Sequence, residues 1–319
     1  MASLKSQVRV GKRDLQISNV DKVLWPRDGY TKGELIAYYR CISQWLLPHL
    51  HDRPLTLQRY PDGIDGGSFF EKEAPRGTPE WVQTVRVDSP GGRRSHISYI
   101  VCNDEATLTF VANLGSIVLH TWTSRVGSLD NPDFALFDLD PWEGCTLKTM
   151  ATVALELRDI LGSIGLKPVV KTSGSSGLHV VIPLQPDYDY EPVKIFAELV
   201  ARRLAAALPD LTTLERMTAK RKGGTVYLDY VQVGHGKTLV PPFSVRARDG
   251  APVSMPLDWS EVEALGRKRS GVPEDASAPW TIRTAPKRLA KIGDLWAGKN
   301  WKPARLEAAL AKAQRSWRD

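Results

Sequence analysis

Apolar residues recur at helical spacing in four stretches of the chain and crowd into shorter runs in six others. Thr31 followed by Glu34 has the form of a capping box ahead of LIAYYRCISQWLL, so a helix is expected to run on from Thr31 through Leu47. LKTMATVALELRDILGSIG keeps its apolar residues three and four apart until a glycine stop at Gly165. EPVKIFAELVARRLAAALP carries Pro192 in its first turn, and PARLEAALAKAQRSW reads as a fourth helix. RPLTLQRY, SHISYIVC, FALFDLD, KPVVKT, LHVVIPL and TVYLDYVQV are rich in β-branched and aromatic residues and read as strands.

Some of these strand runs follow one another directly, without the helix that a parallel crossover needs. The pattern therefore predicts an α+β fold with a mixed or antiparallel central sheet flanked by helices. No repeat and no low-complexity linker divides the chain, so one catalytic-size domain over residues 1–300 is expected. Its N-terminal part would end near residue 95, with 96–300 beyond it and a basic C-terminal helix over 301–319.

Charge adds a partner class. Lys and Arg number 43 against 36 Asp and Glu, a net +7 that favours polyanions, with nucleic acid foremost. Between Thr281 and Asp319 ten basic residues meet three acidic ones, which describes a solvated helix face as well as a phosphate-binding one. Cys41, Cys102 and Cys145 are odd in number and in no zinc spacing, so neither a disulfide framework nor a zinc centre is predicted. No run approaches the ~18 apolar residues of a membrane span, and MASLKSQVRVGKRD has no apolar leader core. A soluble protein of the cytoplasm, with no membrane partner, is the expectation.

The candidate chemistry begins in FDLDP. Side chains alternate along a strand, so Asp138 and Asp140 share one face while Phe137 and Leu139 face packing. Two such anions repel unless a divalent cation bridges them, which makes the pair an oxygen-ligand site for Mg²⁺ or Mn²⁺; a strand-end Asp pair capping a loop is the plain alternative. Asp229, in the apolar strand TVYLDYVQV, is a third carboxylate that needs a partner. Two strands carrying three carboxylates suit two-metal phosphoryl transfer. Between them, Lys171, Ser173, Gly174, Ser175, Ser176 and Gly177 of KTSGSSGLHVVIPL form a turn whose backbone N–H groups and hydroxyls suit phosphate, with His179 following. It lacks the order of a P-loop.

FDLDP, SGSSGLH and YLDY, in that order, resemble the three motifs of the archaeo-eukaryotic primase superfamily. Within it the chain is most similar to the polymerase module of bacterial ATP-dependent ligase D, a non-homologous end-joining enzyme. SNVDKVLWP, TKGE, RPLTLQRYPDG, SFFEKEAPRGTPEWV, ANLGSI with LHTW, and SVRARDGAPVSMPLDW extend the resemblance over nearly the whole chain. It implies the primase-polymerase fold. By the same resemblance Asp138, Asp140 and Asp229 hold two divalent ions, Mn²⁺ or Mg²⁺, while Ser173, Gly174, His179, His120, Arg246 and Gln232 bind the NTP or dNTP. Ser176 stands where the family often has Lys, and the Lys220, Arg221, Lys222 run is a candidate replacement. Lys22 and Lys32 resemble the pocket for a downstream 5′-phosphate, and Lys32 falls in a helical first turn whose free N–H groups favour an anion. Phe69 and Phe70 resemble an aromatic pair that stacks on template, with at most one of them expected to be buried, and Arg59 and Lys72 flank them.

The implied activity is template-directed gap filling and end extension during non-homologous end joining, with a preference for ribonucleotides. The implied partners are DNA with gaps, overhangs or broken ends, plus Ku and a DNA ligase acting in trans or from a parent chain. The implied setting is the nucleoid of a bacterium or archaeon. A stand-alone primase and a non-catalytic end-bridging module remain open as alternatives.

Overall fold

Thr31 does close a capping box. Its hydroxyl accepts from the Glu34 amide at 3.2 Å, and the Glu34 carboxylate accepts from the Thr31 amide at 2.9 Å, which starts the helix Lys32–Cys41. That helix stops at Ile42, wholly buried at φ −99° and ψ 7°, and a separate helix Ser43–Leu50 follows. The single long helix expected here is thus two.

The computed structural model describes residues 5–89, 95–267 and 279–317. Its backbone gathers into two compact units that are not consecutive blocks of sequence. The first takes Met1–Val126, Thr238–Ser254 and Pro279–Gly293; the second takes Gly127–Lys237, Met255–Ala278 and Asp294–Asp319. A division near residue 95 does not coincide with either unit's boundary.

The first unit is built on an antiparallel sheet in the order Thr238–Leu239, Ser116–Trp122, Pro54–Arg59, His96–Val101, Thr84–Asp88. Phe69–Glu71 adds a short strand to Pro54–Arg59. The buried Tyr39 ties helix Lys32–Cys41 to this sheet, its hydroxyl donating to the Ile117 carbonyl at 2.8 Å. That bond fixes the strand that carries His120.

The second unit holds the other large sheet, in the order Thr212–Thr213, Val226–Asp229, Phe134–Pro141, Leu178–Pro183, Val169–Thr172, Pro256–Leu257. Only the Thr212–Thr213 pairing is parallel. Phe137 and Leu139, both buried, lie on the packed side as the alternation predicts, with Phe137 edge-on to Phe196 of helix Tyr190–Ala207 at 6.4 Å. Helix Leu147–Ser163 runs to the glycine-rich stop anticipated for it, and Leu306–Ser316 provides the late basic helix. The run TVYLDYVQV is not one strand: it ends at Asp229, and Tyr230–Gln232 turns into a 3₁₀ helix. Asp229 causes the change, because its Oδ1 accepts from the Val231 amide at 3.2 Å and caps the turn. Among the described residues no helix is long and apolar enough to cross a membrane.

Candidate active site

Three antiparallel strands of the second unit align Asp229, Asp138 and His179 in one row. Asp138 is the direct ladder partner of Asp229 on one side and of His179 on the other. Direct partners share a face, with Cβ atoms roughly 5 Å apart. The row is real at side-chain level for one pair: His179 Nε2 lies 3.3 Å from Asp138 Oδ1, with both groups largely enclosed. Asp140, two residues along, shares that face and has Tyr227 as its partner.

Asp229 also has local partners. Gln232 Nε2 donates to its Oδ2 at 2.9 Å, while the Val231 amide holds Oδ1. Gln232, expected in the nucleotide pocket, therefore acts on this carboxylate in the structure. Among the described residues no three His, Cys, Asp or Glu side chains already stand together as a metal-binding group. The donor set nonetheless fits a hard divalent cation: the candidates are all carboxylate oxygens, and an ionised Asp has about four lone-pair sites, so two local hydrogen bonds leave Asp229 acceptor capacity.

The turn after strand Val169–Thr172 is held from inside. Ser173 Oγ accepts from the amides of Ser175 and Gly177, both at 3.1 Å, and the Ser173 amide donates to the Gly177 carbonyl at 2.9 Å. Three of the N–H groups expected to face phosphate, those of Ser173, Ser175 and Gly177, are thus engaged within the turn. Gly174 takes φ +74°, where glycine has no steric penalty. Gly177 is demanded by contact: a Cβ there would lie 2.5 Å from the Leu139 carbonyl oxygen and 3.4 Å from Asp140 Oδ1. The turn therefore abuts the strand of Asp138 and Asp140. Of the basic run, Arg221 stacks over Tyr227 at 3.7 Å from the ring centre and over Trp142 at 5.3 Å, and its Nε donates to the Glu215 carbonyl. Tyr227 faces Asp140 across the ladder, so this guanidinium belongs to the same side. Lys222 is exposed beside Asp210.

In the first unit Lys22, Lys32 and Arg59 form a cation cluster. Lys32 is buried, its Nζ donating to the Ser18 carbonyl at 2.7 Å. Burial, and then the charges of Arg59 and Lys22, lower its pKa to about 8. Lys22 meets Asp62 at 2.8 Å. The helix N-terminus contributes less than expected, because the amide of Lys32 donates to the Lys22 carbonyl, that of Gly33 to Val20 and that of Glu34 to Thr31. Any anion here would be drawn by side-chain charge.

Both phenylalanines are exposed, Phe69 at 45% and Phe70 at 59%, within the expectation that at most one would be buried. Their strand pairs with Pro54–Arg59, and among the described residues no second strand pairs with its other edge. Arg59 lies over the Phe69 ring at 5.3 Å and pairs with Glu71 at 2.8 Å, while Phe70 meets His120 edge-on at 5.3 Å. Lys72 is exposed beside them. Burial, then the Arg246 charge, lowers the His120 pKa to about 3, so its ring is neutral at ordinary pH, with Nε2 at 3.4 Å from Gln58 Oε1. Arg246 is held by its backbone, which donates to the Pro252 carbonyl at 2.8 Å.

Sequence reasoning missed three features of these sites. Lys171 is a strand residue in register with His179 rather than part of the turn, Gly177 is a packing requirement, and Glu71 is the partner of Arg59. The strand run KPVVKT already contained the first signal, since it continues through Lys171.

The antiparallel sheet, with the carboxylate row, turn and histidine set on it, has the architecture of the primase-polymerase class of nucleotidyltransferases. The chain belongs to the LigD primase-polymerase domain family, whose description matches residues 31–296. It is 34% identical over 287 residues to the multifunctional non-homologous end joining DNA repair protein LigD of Mycobacterium tuberculosis, covering 88% of this chain and 36% of that protein. The bifunctional non-homologous end joining protein LigD of Bacillus subtilis is 34% identical over 280 residues, covering 88% of this chain and 43% of its own. The chain thus spans about a third of the mycobacterial relatives it matches. Its fold is similar to the polymerase domain of M. tuberculosis ligase D, solved in complex with DNA, with a TM-score of 0.81 and 30% identity over 91% of this chain and 99% of that one.

Proposed function

We propose that the chain is a template-directed polymerase that fills gaps and extends ends in non-homologous end joining, working on broken, gapped or overhanging DNA. The observation that carries this reading is the register that sets Asp138 beside Asp229 and His179 on three adjacent strands. Asp138, Asp140 and Asp229 would hold two divalent ions, Mn²⁺ or Mg²⁺. When bound, such ions activate a primer 3′-hydroxyl and neutralise charge on the triphosphate and leaving group.

The chain's own residues do the positioning. Gln232 and the Val231 amide fix the rotamer of Asp229, and His179 sits against Asp138. Ser173 shapes the turn that, with Gly174 and His179, we assign to the triphosphate. In the first unit we assign His120 and Arg246 to nucleotide contacts. The neutral His120 ring offers one donor and one acceptor nitrogen, suited to a sugar hydroxyl, and a preference for ribonucleotides is part of the proposal. Lys22 and Lys32 are assigned to a downstream 5′-phosphate, because a cluster whose own charges repel is relieved by an anion. Phe69 and Phe70 are assigned to base stacking, with Arg59 and Lys72 along the phosphates. The chain would act at the nucleoid in the cytoplasm, with Ku and a ligase acting in trans or from a longer parent chain.

The test is incorporation on a gapped duplex with and without a 5′-phosphate at the gap, comparing NTP with dNTP and Mn²⁺ with Mg²⁺. Metal-dependent, template-matched addition that is faster on the phosphorylated gap supports the reading. Dinucleotide synthesis on primer-free template would point to a primase instead, and DNA binding with no incorporation under any metal would leave only end bridging.

A further inference from the structure

The row Asp229, Asp138, His179 has a fourth member. Lys171 is the direct ladder partner of His179 on strand Val169–Thr172, so four adjacent strands present Asp, Asp, His and Lys on one face. Lys171 has no accessible surface and is among the largest fully buried side chains described. Its neighbours Val169 and Val170 show what a strand buried on both faces ordinarily carries. A buried ammonium needs polar or oppositely charged surroundings: Lys171 Nζ reaches the Thr172 carbonyl at 3.4 Å, and the carboxylates of Asp138 and Asp229 stand on the same face two and three strands along the row. Its strand is a firm support. Thr172 exchanges two 2.9 Å hydrogen bonds with Met255, and the Trp296 indole N–H donates to the Val170 carbonyl at 3.1 Å.

We propose that Lys171 is a positioning residue that acts as the built-in counter-charge of the carboxylate row, letting Asp138 and Asp229 stand side by side before any cation arrives. Its place in the polymerase rests on the metal reading given above. The four-membered row itself does not. In the metal-free protein the ammonium offsets the two carboxylates; once divalent ions bind, they supply that charge and Lys171 becomes less necessary. Removing its charge should therefore hurt the metal-free protein most and make it respond more strongly to metal. A lysine that merely filled space would show neither effect.

The experiment measures melting temperature for the wild type, K171M, D138N and the double variant D138N/K171M, in EDTA, and for the first two in Mn²⁺ as well. Met keeps the length of the side chain and removes its charge. In EDTA, K171M should lower the midpoint by roughly 6 °C, the scale of breaking a buried charge arrangement in a chain of this size. Mn²⁺ should raise the K171M midpoint by more than it raises that of the wild type. In the D138N background the same Lys171 change should lower the midpoint by less than half as much. Equal losses in both backgrounds, or a Mn²⁺ shift no larger in K171M than in the wild type, would overturn the proposal. So would a double variant that fails to fold along with K171M. A wild type that ignores Mn²⁺ while the two substitutions remain coupled would instead refute the metal reading and leave the counter-charge standing.

Discussion

Asp138 and Asp229, far apart in sequence, are direct partners in the antiparallel ladder between strands Phe134–Pro141 and Val226–Asp229. Two carboxylates at that spacing are unfavourable as bare neighbours. The arrangement makes chemical sense as one half of a divalent-ion site, and that is where the first test lies.

Asp138→Ala and Asp229→Ala should each lower nucleotide incorporation by ~10³-fold, if a lost metal position removes about 4 kcal/mol of transition-state charge stabilisation. Affinity for gapped DNA, measured by fluorescence anisotropy, should change little. Primer extension by either variant at the wild-type rate would break the metal assignment.

Gln232→Ala should raise the Mn²⁺ concentration for half-maximal activity by about 10-fold, because the amide now holding Asp229 Oδ2 is lost. The KM for nucleotide at saturating Mn²⁺ should move much less. The opposite split would return Gln232 to direct nucleotide contact.

Lys32 gives a pH signature. Its folded pKa of about 8 lies below the ordinary 10.5, so the folded state holds this proton less tightly than the unfolded chain. The folding penalty is complete below about pH 8 and fades as pH rises towards 10.5. Phosphate attraction runs the other way, being full while Lys32 is charged. The preference for a 5′-phosphorylated gap should thus decline between pH 7 and 9, and Lys32→Met should abolish both the preference and its decline. Competition binding with phosphorylated and unphosphorylated duplexes reads this directly.

Phe69→Ala and Phe70→Ala should each weaken template binding by ~1 to 3 kcal/mol if a base stacks on the ring. Because both rings are exposed, the melting temperature should stay within about a degree, as surface changes usually lie within ±0.5 kcal/mol. A large melting shift with unchanged DNA affinity would make them packing residues.

Gly177→Ala inserts a methyl 2.5 Å from the Leu139 carbonyl oxygen, so the turn or the Asp138 strand must move. We expect about 1 to 3 kcal/mol of destabilisation, as for other overpacked sites, and a loss of incorporation exceeding that of Gly67→Ala, where a Cβ meets nothing within 4 Å. Urea unfolding and single-turnover kinetics on both variants make the comparison.

Much of this was legible in the residues. Alternation put Asp138 opposite in facing to Leu139, and the Thr31 box started its helix where the spacing said. What escaped was set by contacts between distant segments. Asp229 ends its strand through its own carboxylate, a local competition that β-propensity does not register. The helices Glu105–Asn113, Trp259–Gly266 and Ala285–Ile292 are eight or nine residues long and too short for periodicity to stand out, although Asp104 and Asp258 cap the first two. Lys171 was legible as a strand residue from KPVVKT, but nothing local marks a lysine as buried or pairs it with His179; both follow from the sheet. In the same way, the exposure of both Phe69 and Phe70 follows from where their short strand lies in the sheet, which no window of sequence contains.

The interleaving of the two units limits how this molecule can be cut. Strand Val169–Thr172 receives its outer neighbour, Pro256–Leu257, from chain that returns only after Thr238–Ser254 has been given to the other unit. A fragment stopping at Lys237 would leave that strand with a bare hydrogen-bonding edge, an invitation to self-association. Dissecting the protein into halves therefore calls for co-expressed pieces, since no single stop codon separates one unit from the other.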